Sequence, residues 1–212
     1  MMLAAVLLTV SARAAHPRFI SLNLCTDQLL LELADPADIA GLSPLATDCA
    51  ESVLCRKARG FPIQRAGGED LITAHPTVVF DGTWRKPTVS LVTDALHVPL
   101  VQLSGVTGLK DIPTQIRTVA RAIHEQDRGE RLIQAFEARL ATLHPAHPEK
   151  ILSVAVIGAN MTDEGTGLMQ DLLTLSGFHP LASQRADGTM PLEQLVARSP
   201  DLVVTALISE GP

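Results

Sequence analysis

The stretch Gly67–Thr83, GGEDLITAHPTVVFDGT, changes period part-way along. Leu71, Ile72 and Ala74 form a turn of helix, His75-Pro76 breaks it, and Thr77 to Phe80 follows as an apolar, β-branched run with no polar face. Such a run reads as a strand buried on both sides, and strands of that kind sit in parallel sheets roofed by helices. The alternation continues in both directions. Upstream, RFISL (Arg18 to Leu22) is a short strand, and NLCTDQLLLELADP contains a helix. Thr26 or Asp27 is expected to cap that helix, Leu29, Leu30, Leu33 and Ala34 line one face, and Pro36 ends it. IAGLSP gives a second strand. Downstream, a helix is expected from about Thr88 to Leu96 and a strand from Leu100 to Leu103.

Past Asp111 the spacing of Ile112, Ile116, Val119, Ala120 and Ile123 predicts a helix with Pro113 in its first turn. After a break near Asp127, a long second helix carries Leu132, Ile133, Phe136, Leu140 and Leu143 on one stripe. The proline-punctuated HPAHPEK then leads into ILSVAVIGAN (Ile151 to Asn160), the most β-rich run of the chain. GLMQDLLTLSGF and LEQLVARSP read as helices and DLVVTAL as a strand. The expected fold is α/β: two Rossmann-like lobes with largely parallel sheets, joined by a long α-helix. The lobes are expected at residues 17–126 and 146–212, with the connecting helix at 127–145. Only two strands are obvious in the second lobe, so it is expected to be partial and the sequence truncated. PLEQLVARSPDLVVTAL (Pro191 to Leu207) echoes the opening stretch in its order of Glu, Leu, breaking Pro, apolar strand and small-residue loop.

A 212-residue chain that is 46% hydrophobic and 19% charged can bury a core. Its net charge of −6 and dispersed basic residues exclude a nucleic-acid partner. The apolar run Leu3–Val10, followed by Ala12-Arg13-Ala14, resembles a signal peptide over residues 1–14, which predicts export. No stretch reaches the ~18 apolar residues of a membrane span. Three cysteines suit an oxidising compartment. Cys49 and Cys55 can pair locally if their segment is not a regular helix, or all three can remain thiols. The scattered histidines and the lack of Cys-x-x-Cys support neither a metal site nor a resident cofactor.

The succession RFISLNLCTDQLLLELADPADIAGLSP, GGEDLITAHPTVVFDGTWRKPTVSLVTDALHVPLVQL, RGERLIQAFEARLATL and MPLEQLVARSPDLVVT resembles the periplasmic substrate-binding proteins of ABC importers for cobalamin, heme and iron-siderophores. The resemblance runs from Arg18 to the end. It implies a monomeric, non-enzymatic protein that traps a metal chelate or tetrapyrrole between its lobes and delivers it to a membrane permease. The binding loops would be those at the C-terminal ends of strands. They hold Asn23, Leu24 and Cys25, then Leu45, then Trp84 and Arg85, and in the second lobe Asn160. Trp84, the single tryptophan, matches a cleft-facing indole in cobalamin binders; its other reading is an indole packed at the edge of the core. Arg85 and Lys86 suit carboxylates on the ligand or are solvated loop charges.

Docking in this family uses an acidic side chain on each lobe, and Glu193 matches the second-lobe position. On the first lobe the place just after TWRKP holds Thr88 to Ser90, leaving the counterpart open. Glu69 and Asp70 read as the acidic first turn of a helix. Asp163 to Gly167, DEGTG, lacks the third glycine of a dinucleotide fingerprint and reads as a turn feeding a helix. Cys25 reads as a semi-buried thiol lining the cleft. An exported hydrolase or thiol enzyme built on it, and a non-functional remnant, are the competing readings; the chain has neither Gly-x-Ser-x-Gly nor a spaced His-acid set.

Overall fold

A computed structural model describes residues 16–65, 67–83, 87–143, 151–158, 165–185 and 187–205. The chain divides into two compact units, Met1–Leu103 and Ser104–Pro212. The first contains β1 (Phe19–Ser21), α1 (Leu24–Leu33), β2 (Ile39–Gly41), the short α2 (Cys55–Ala58), α3 (Gly68–Ala74), β3 (Val78–Gly82), α4 (Pro87–Ala95) and β4 (Leu100–Leu103). Its four strands lie in the order β2-β1-β3-β4, all parallel. β3 pairs with β1 through Phe19↔Val78 to Ser21↔Phe80 and with β4 through Val79↔Leu100 to Gly82↔Leu103. Val79 and Phe80 are fully buried, as the run Thr77 to Phe80 requires. On one face Ile20 and Val79 pack with Leu71 and Ala74 of α3 and Val89 of α4. Alternation of strand and helix thus produced the expected layered α/β unit.

The helix after β1 starts earlier than the cap residues in the sequence suggest. Asn23, not Thr26 or Asp27, is the N-cap, its Oδ1 accepting the Cys25 N–H at 2.9 Å. Thr26 and Asp27 lie inside the first turn and are buried. A polar residue three positions before Thr26 caps the orphan N–H groups, and Thr26 and Asp27 are taken up by contacts with Ser21 and Ser43. Leu30, Leu31, Leu33 and Ala34 are buried, while Leu29 is half-buried.

The second unit begins with α5 (Ile112–Ala122) and α6 (Gln126–Ala141). The helix break falls at Ile123–Glu125, where His124 takes φ 61°, two residues before the expected position. α5 and α6 pack closely: a Cβ on Gly129 would stand 2.6 Å from the Ala120 Cβ. Arg117 and Glu130 pair across them at 2.7 Å. Ile116, Val119, Ala120 and Ile133 are buried in this pair. The compact division therefore groups both helices with the second unit. The sheet that follows has three parallel strands in the order β6-β5-β7, formed by β5 (Leu152–Ile157), β6 (Phe178–Pro180) and β7 (Leu202–Thr205). α7 (Leu168–Leu175) and α8 (Leu192–Arg198) connect them. β6 escaped the sequence because its three residues, Phe-His-Pro, carry no period and end in proline. Gly167, in DEGTG, precedes α7 with φ 59°, and a Cβ there would lie 3.2 Å from the Thr107 carbonyl. Gly165 to Gly167 lead into α7, and close backbone approach explains Gly167, while Asp163 and Glu164 lie outside the described residues.

Cys49 and Cys55 are disulfide-bonded, with their Cα atoms 5.1 Å apart. Cys49 lies before α2 and Cys55 opens it, so the segment is no continuous helix. Cys25 is a free and exposed thiol, which corrects the semi-buried expectation: in the first turn of α1 it points away from the sheet that Thr26 and Asp27 face. Replacing Cys49 and Cys55 together with serine is expected to cost about 2 kcal/mol, as closure of so short a loop predicts, measured by urea unfolding. A thiol reagent should titrate one group per native chain and all three cysteines after reduction and unfolding.

Candidate functional site at the strand ends

All four strands of the first unit end on one edge, because all are parallel. After β1 the chain turns first to one side, into β2, and later to the other, into β3. The switch point therefore lies between β1 and β3, where open α/β sheets form their ligand crevice. The loops leaving these two strands meet there. A Cβ on Gly82 would sit 3.0 Å from Asn23 Nδ2, so the glycine lets the Asn23 side chain lie against the end of β3. The Leu22 N–H donates to the Phe80 carbonyl at 2.9 Å and continues the pairing past Ser21.

Beneath these loops lies a polar knot that the sequence did not single out. The Asp27 side chain, 0% exposed, accepts from the Ser43 N–H at 2.9 Å and from Ser43 Oγ at 2.5 Å. Ser21 Oγ stands 2.7 Å from Thr26 Oγ1, and both donate to the Asn23 carbonyl, at 3.1 and 2.9 Å. The knot ties the end of β1, the start of α1 and the loop after β2 into one rigid edge. Ser43 leads into a 3-10 turn, Pro44–Thr47, that leaves Leu45 46% exposed. The sequence signal was there: two hydroxyls and a carboxylate inside an otherwise apolar strand-helix unit are buried polar groups that must find one another.

The structure therefore brings together Asn23, Leu24 and Cys25 at the head of α1, with Asn23 and Leu24 half-buried and Cys25 exposed. Leu45 presents an apolar side chain on the neighbouring loop. Trp84, Arg85 and Asn160 lie outside the described residues. Glu193 is exposed in the first turn of α8. α3 and α8 are built alike: each has seven residues with a glutamate, Glu69 or Glu193, at its second position. Each ends in a left-handed residue, His75 at φ 46° or Ser199 at φ 43°, and passes through a proline into a strand. Glu69 thus occupies in α3 the position that Glu193 occupies in α8. The echo between the two stretches was the signal that pointed to it. Among the described residues no group of His, Cys, Asp and Glu could hold a metal ion.

A family model described as periplasmic binding protein matches residues 20–206. The chain belongs to the periplasmic binding protein family. No curated protein matches it significantly in sequence. Its fold is similar to the periplasmic heme-binding protein HutB of Vibrio cholerae, with a TM-score of 0.72 and 16% identity over 90% of this chain and 76% of that one. It is also similar to a possible iron-binding, periplasmic solute-binding protein of Staphylococcus epidermidis, with a TM-score of 0.71 and 17% identity over 89% and 76%. The periplasmic heme-binding protein RhuT of Roseiflexus gives a TM-score of 0.67 and 20% identity over 90% and 76%. No described helix is long and apolar enough to cross a membrane. Residues 1–14 lie outside the described part.

Burial holds the Asp27 pKa above the ordinary carboxylate value, against the opposing hydrogen bonds from Ser21 and Ser43. Between the ordinary and the raised value the folded chain keeps a proton that the unfolded chain releases. This contribution to stability is therefore full at low pH and lost as pH rises through the folded value. Asp27→Asn should gain stability relative to the native chain as pH rises through that window, read from urea midpoints. Asp27→Ala, which strands the Ser43 N–H and hydroxyl, should cost about 1–3 kcal/mol at neutral pH.

Proposed function

We propose that this protein is the periplasmic solute-binding component of an ABC importer and that its ligand is a metal chelate or tetrapyrrole, with heme the first candidate. The observation that carries this is the match of residues 20–206 to the periplasmic binding protein family. It favours capture and delivery over an exported enzyme. The ligand class draws on the structures it resembles, of which HutB and RhuT are heme-binding proteins. The edge supports it physically. Exposed Leu45 offers apolar surface to a macrocycle, and Asn23 and Cys25 stand beside it on a loop held by the Asp27 knot. Of the side-chain types that hold heme iron, Cys25 in the first turn of α1 is the free one among the described residues that follow β1, β2 and β3 at the strand ends, Cys49 after β2 being held in the disulfide. Trp84 and Arg85 are proposed to complete the first unit's surface and Asn160 to contribute from the second.

Titrating the exported chain with heme, cobinamide, cobalamin and ferric siderophores, and following Trp84 fluorescence and the heme Soret band, tests the proposal. Saturable binding of one class is expected, with Leu45→Asp weakening it about tenfold by placing a charge on apolar ligand surface. With heme, Cys25→Ala should shift the Soret band. A chain that binds none of these yet shows esterase or thiol-transfer activity lost in Cys25→Ala overturns the reading. Glu69 and Glu193 are the proposed pair that meets arginines of the permease. Alanine at either should lower uptake into vesicles carrying the permease about tenfold while leaving ligand affinity unchanged.

A further inference from the structure

The second unit repeats a device of the first. Its central strand, β5, leads into α7 as β1 leads into α1, and both helices carry an aspartate as fourth residue after an opening leucine: Leu24 and Asp27 in α1, Leu168 and Asp171 in α7. In each, the carboxylate accepts a backbone N–H from a segment far along the chain, Ser43 for Asp27 at 2.9 Å and Leu109 for Asp171 at 2.7 Å. Asp27 belongs to the knot that stiffens the strand-end edge of the first unit. The strands of the second sheet are all parallel and α7 follows β5, so the head of α7 lies at the strand-end edge of the second unit.

The segment that Asp171 holds is fitted to it. Residues 104–111 open the second unit and fix their own shape. The Thr107 N–H and Oγ1 donate to Asp111 Oδ2 at 2.9 and 2.6 Å, and Gln115 Nε2 donates to the Ser104 carbonyl at 2.6 Å. Leu109 opens a 3-10 turn, Leu109–Asp111, where its N–H has no partner within the turn, and Asp171 supplies one. Two glycines permit the approach. Gly108 is buried and has an extended φ of −175°, which any residue adopts, so space explains it: a Cβ would stand 2.7 Å from Asp171 Oδ2. From the other side Gly167, just before α7, lies against the Thr107 carbonyl.

We propose that Asp171 is a positioning residue for ligand binding: by accepting the Leu109 N–H it braces the head of α7, and with it the strand-end edge of the second unit, against residues 104–111. A hydrogen bond to a carboxylate is among the stronger ones, and this one joins segments 62 residues apart, so it removes freedom from both. Ligand affinity depends on that freedom, because whatever a ligand must immobilise on binding subtracts from its gain. Contact of Gly167 with Thr107 couples the two segments again, so a shift of residues 104–111 displaces the turn that starts α7. Each unit thus carries one carboxylate brace at its strand ends, Asp27 on Ser43 and Asp171 on Leu109. The effect on affinity rests on the binding function proposed above; the brace itself does not, and the two are read separately.

The experiment compares the native chain with Asp171→Ala, Asp171→Asn and Gly108→Ala, by hydrogen exchange without ligand and by titration with hemin, cobinamide, cobalamin and ferric siderophores. Asp171→Ala should speed exchange of the Leu109 amide and of the first turn of α7 together, about tenfold or more, and weaken the ligand that the native chain binds about tenfold, through faster dissociation. Asp171→Asn keeps a carbonyl acceptor and should stay within about threefold of the native chain in both. Gly108→Ala leaves the carboxylate in the chain but drives it off Leu109, so it should match Asp171→Ala, and the double variant should lose no more than either. Gly108→Ala carries the test where Asp171→Ala does not fold by circular dichroism. A native chain that binds none of the ligands overturns the binding function and the part of Asp171 in it, while coupled exchange at Leu109 and α7 still upholds the brace. Unchanged exchange at Leu109, faster exchange there but not in α7, native affinity in Asp171→Ala, an asparagine variant as weak as the alanine one, or additive losses in the double variant overturn the proposal.

Discussion

The first unit is arranged around its two central strands, β1 and β3, which pair on both sides and are buried. A parallel strand of this kind cannot reach its neighbours by a hairpin, so each connection crosses over as a helix and each helix covers a face. Leu71, Ala74 and Val89 are apolar because α3 and α4 must cover Ile20 and Val79. The same constraint places every strand end on one edge, and the order β2-β1-β3-β4 opens a crevice between β1 and β3. Position in the sheet, more than the chemistry of any one side chain, decides which loops can serve a ligand.

The edge is stiffened by buried polar groups that satisfy one another. Asp27 lies where burial raises its pKa, and it persists because Ser43 donates twice to it. The arrangement costs desolvation and returns order, holding the loop of Leu45 and the head of α1 in fixed relation. Gln64 Oε1 shows the opposite condition, a buried acceptor with no donor among the described residues.

Much of the fold was legible because the period of the apolar residues changes between 2 and 3.6 at each breaker. The strands at Val78–Gly82, Leu100–Leu103 and Leu152–Ile157 and the helices α4, α7 and α8 follow from that signal alone. β6 did not, since three residues ending in proline carry no period. The start of α1 lies earlier than expected because Asn23, Thr26 and Asp27 are all able to cap, and only the contacts of Thr26 with Ser21 and of Asp27 with Ser43 withdrew the last two. The likeness of α3 and α8, each with a glutamate at its second position and a proline before the next strand, was legible in the echo between their sequences.

By itself the sequence determined the class of architecture, two α/β units with parallel sheets, because local period and breakers need no long-range information. It also determined which loops leave strand ends, and so Asn23, Leu24, Cys25 and Leu45 as surface near the crevice. Only the tertiary structure decided that Cys49 pairs with Cys55 while Cys25 stays free, since pairing depends on where Cα atoms come to lie. It alone joined Asp27 to Ser43 across sixteen residues and laid Gln64 over Gly41. Buried polar contacts between distant segments have no signature along the chain, because the partner is chosen by the sheet and not by the spacing.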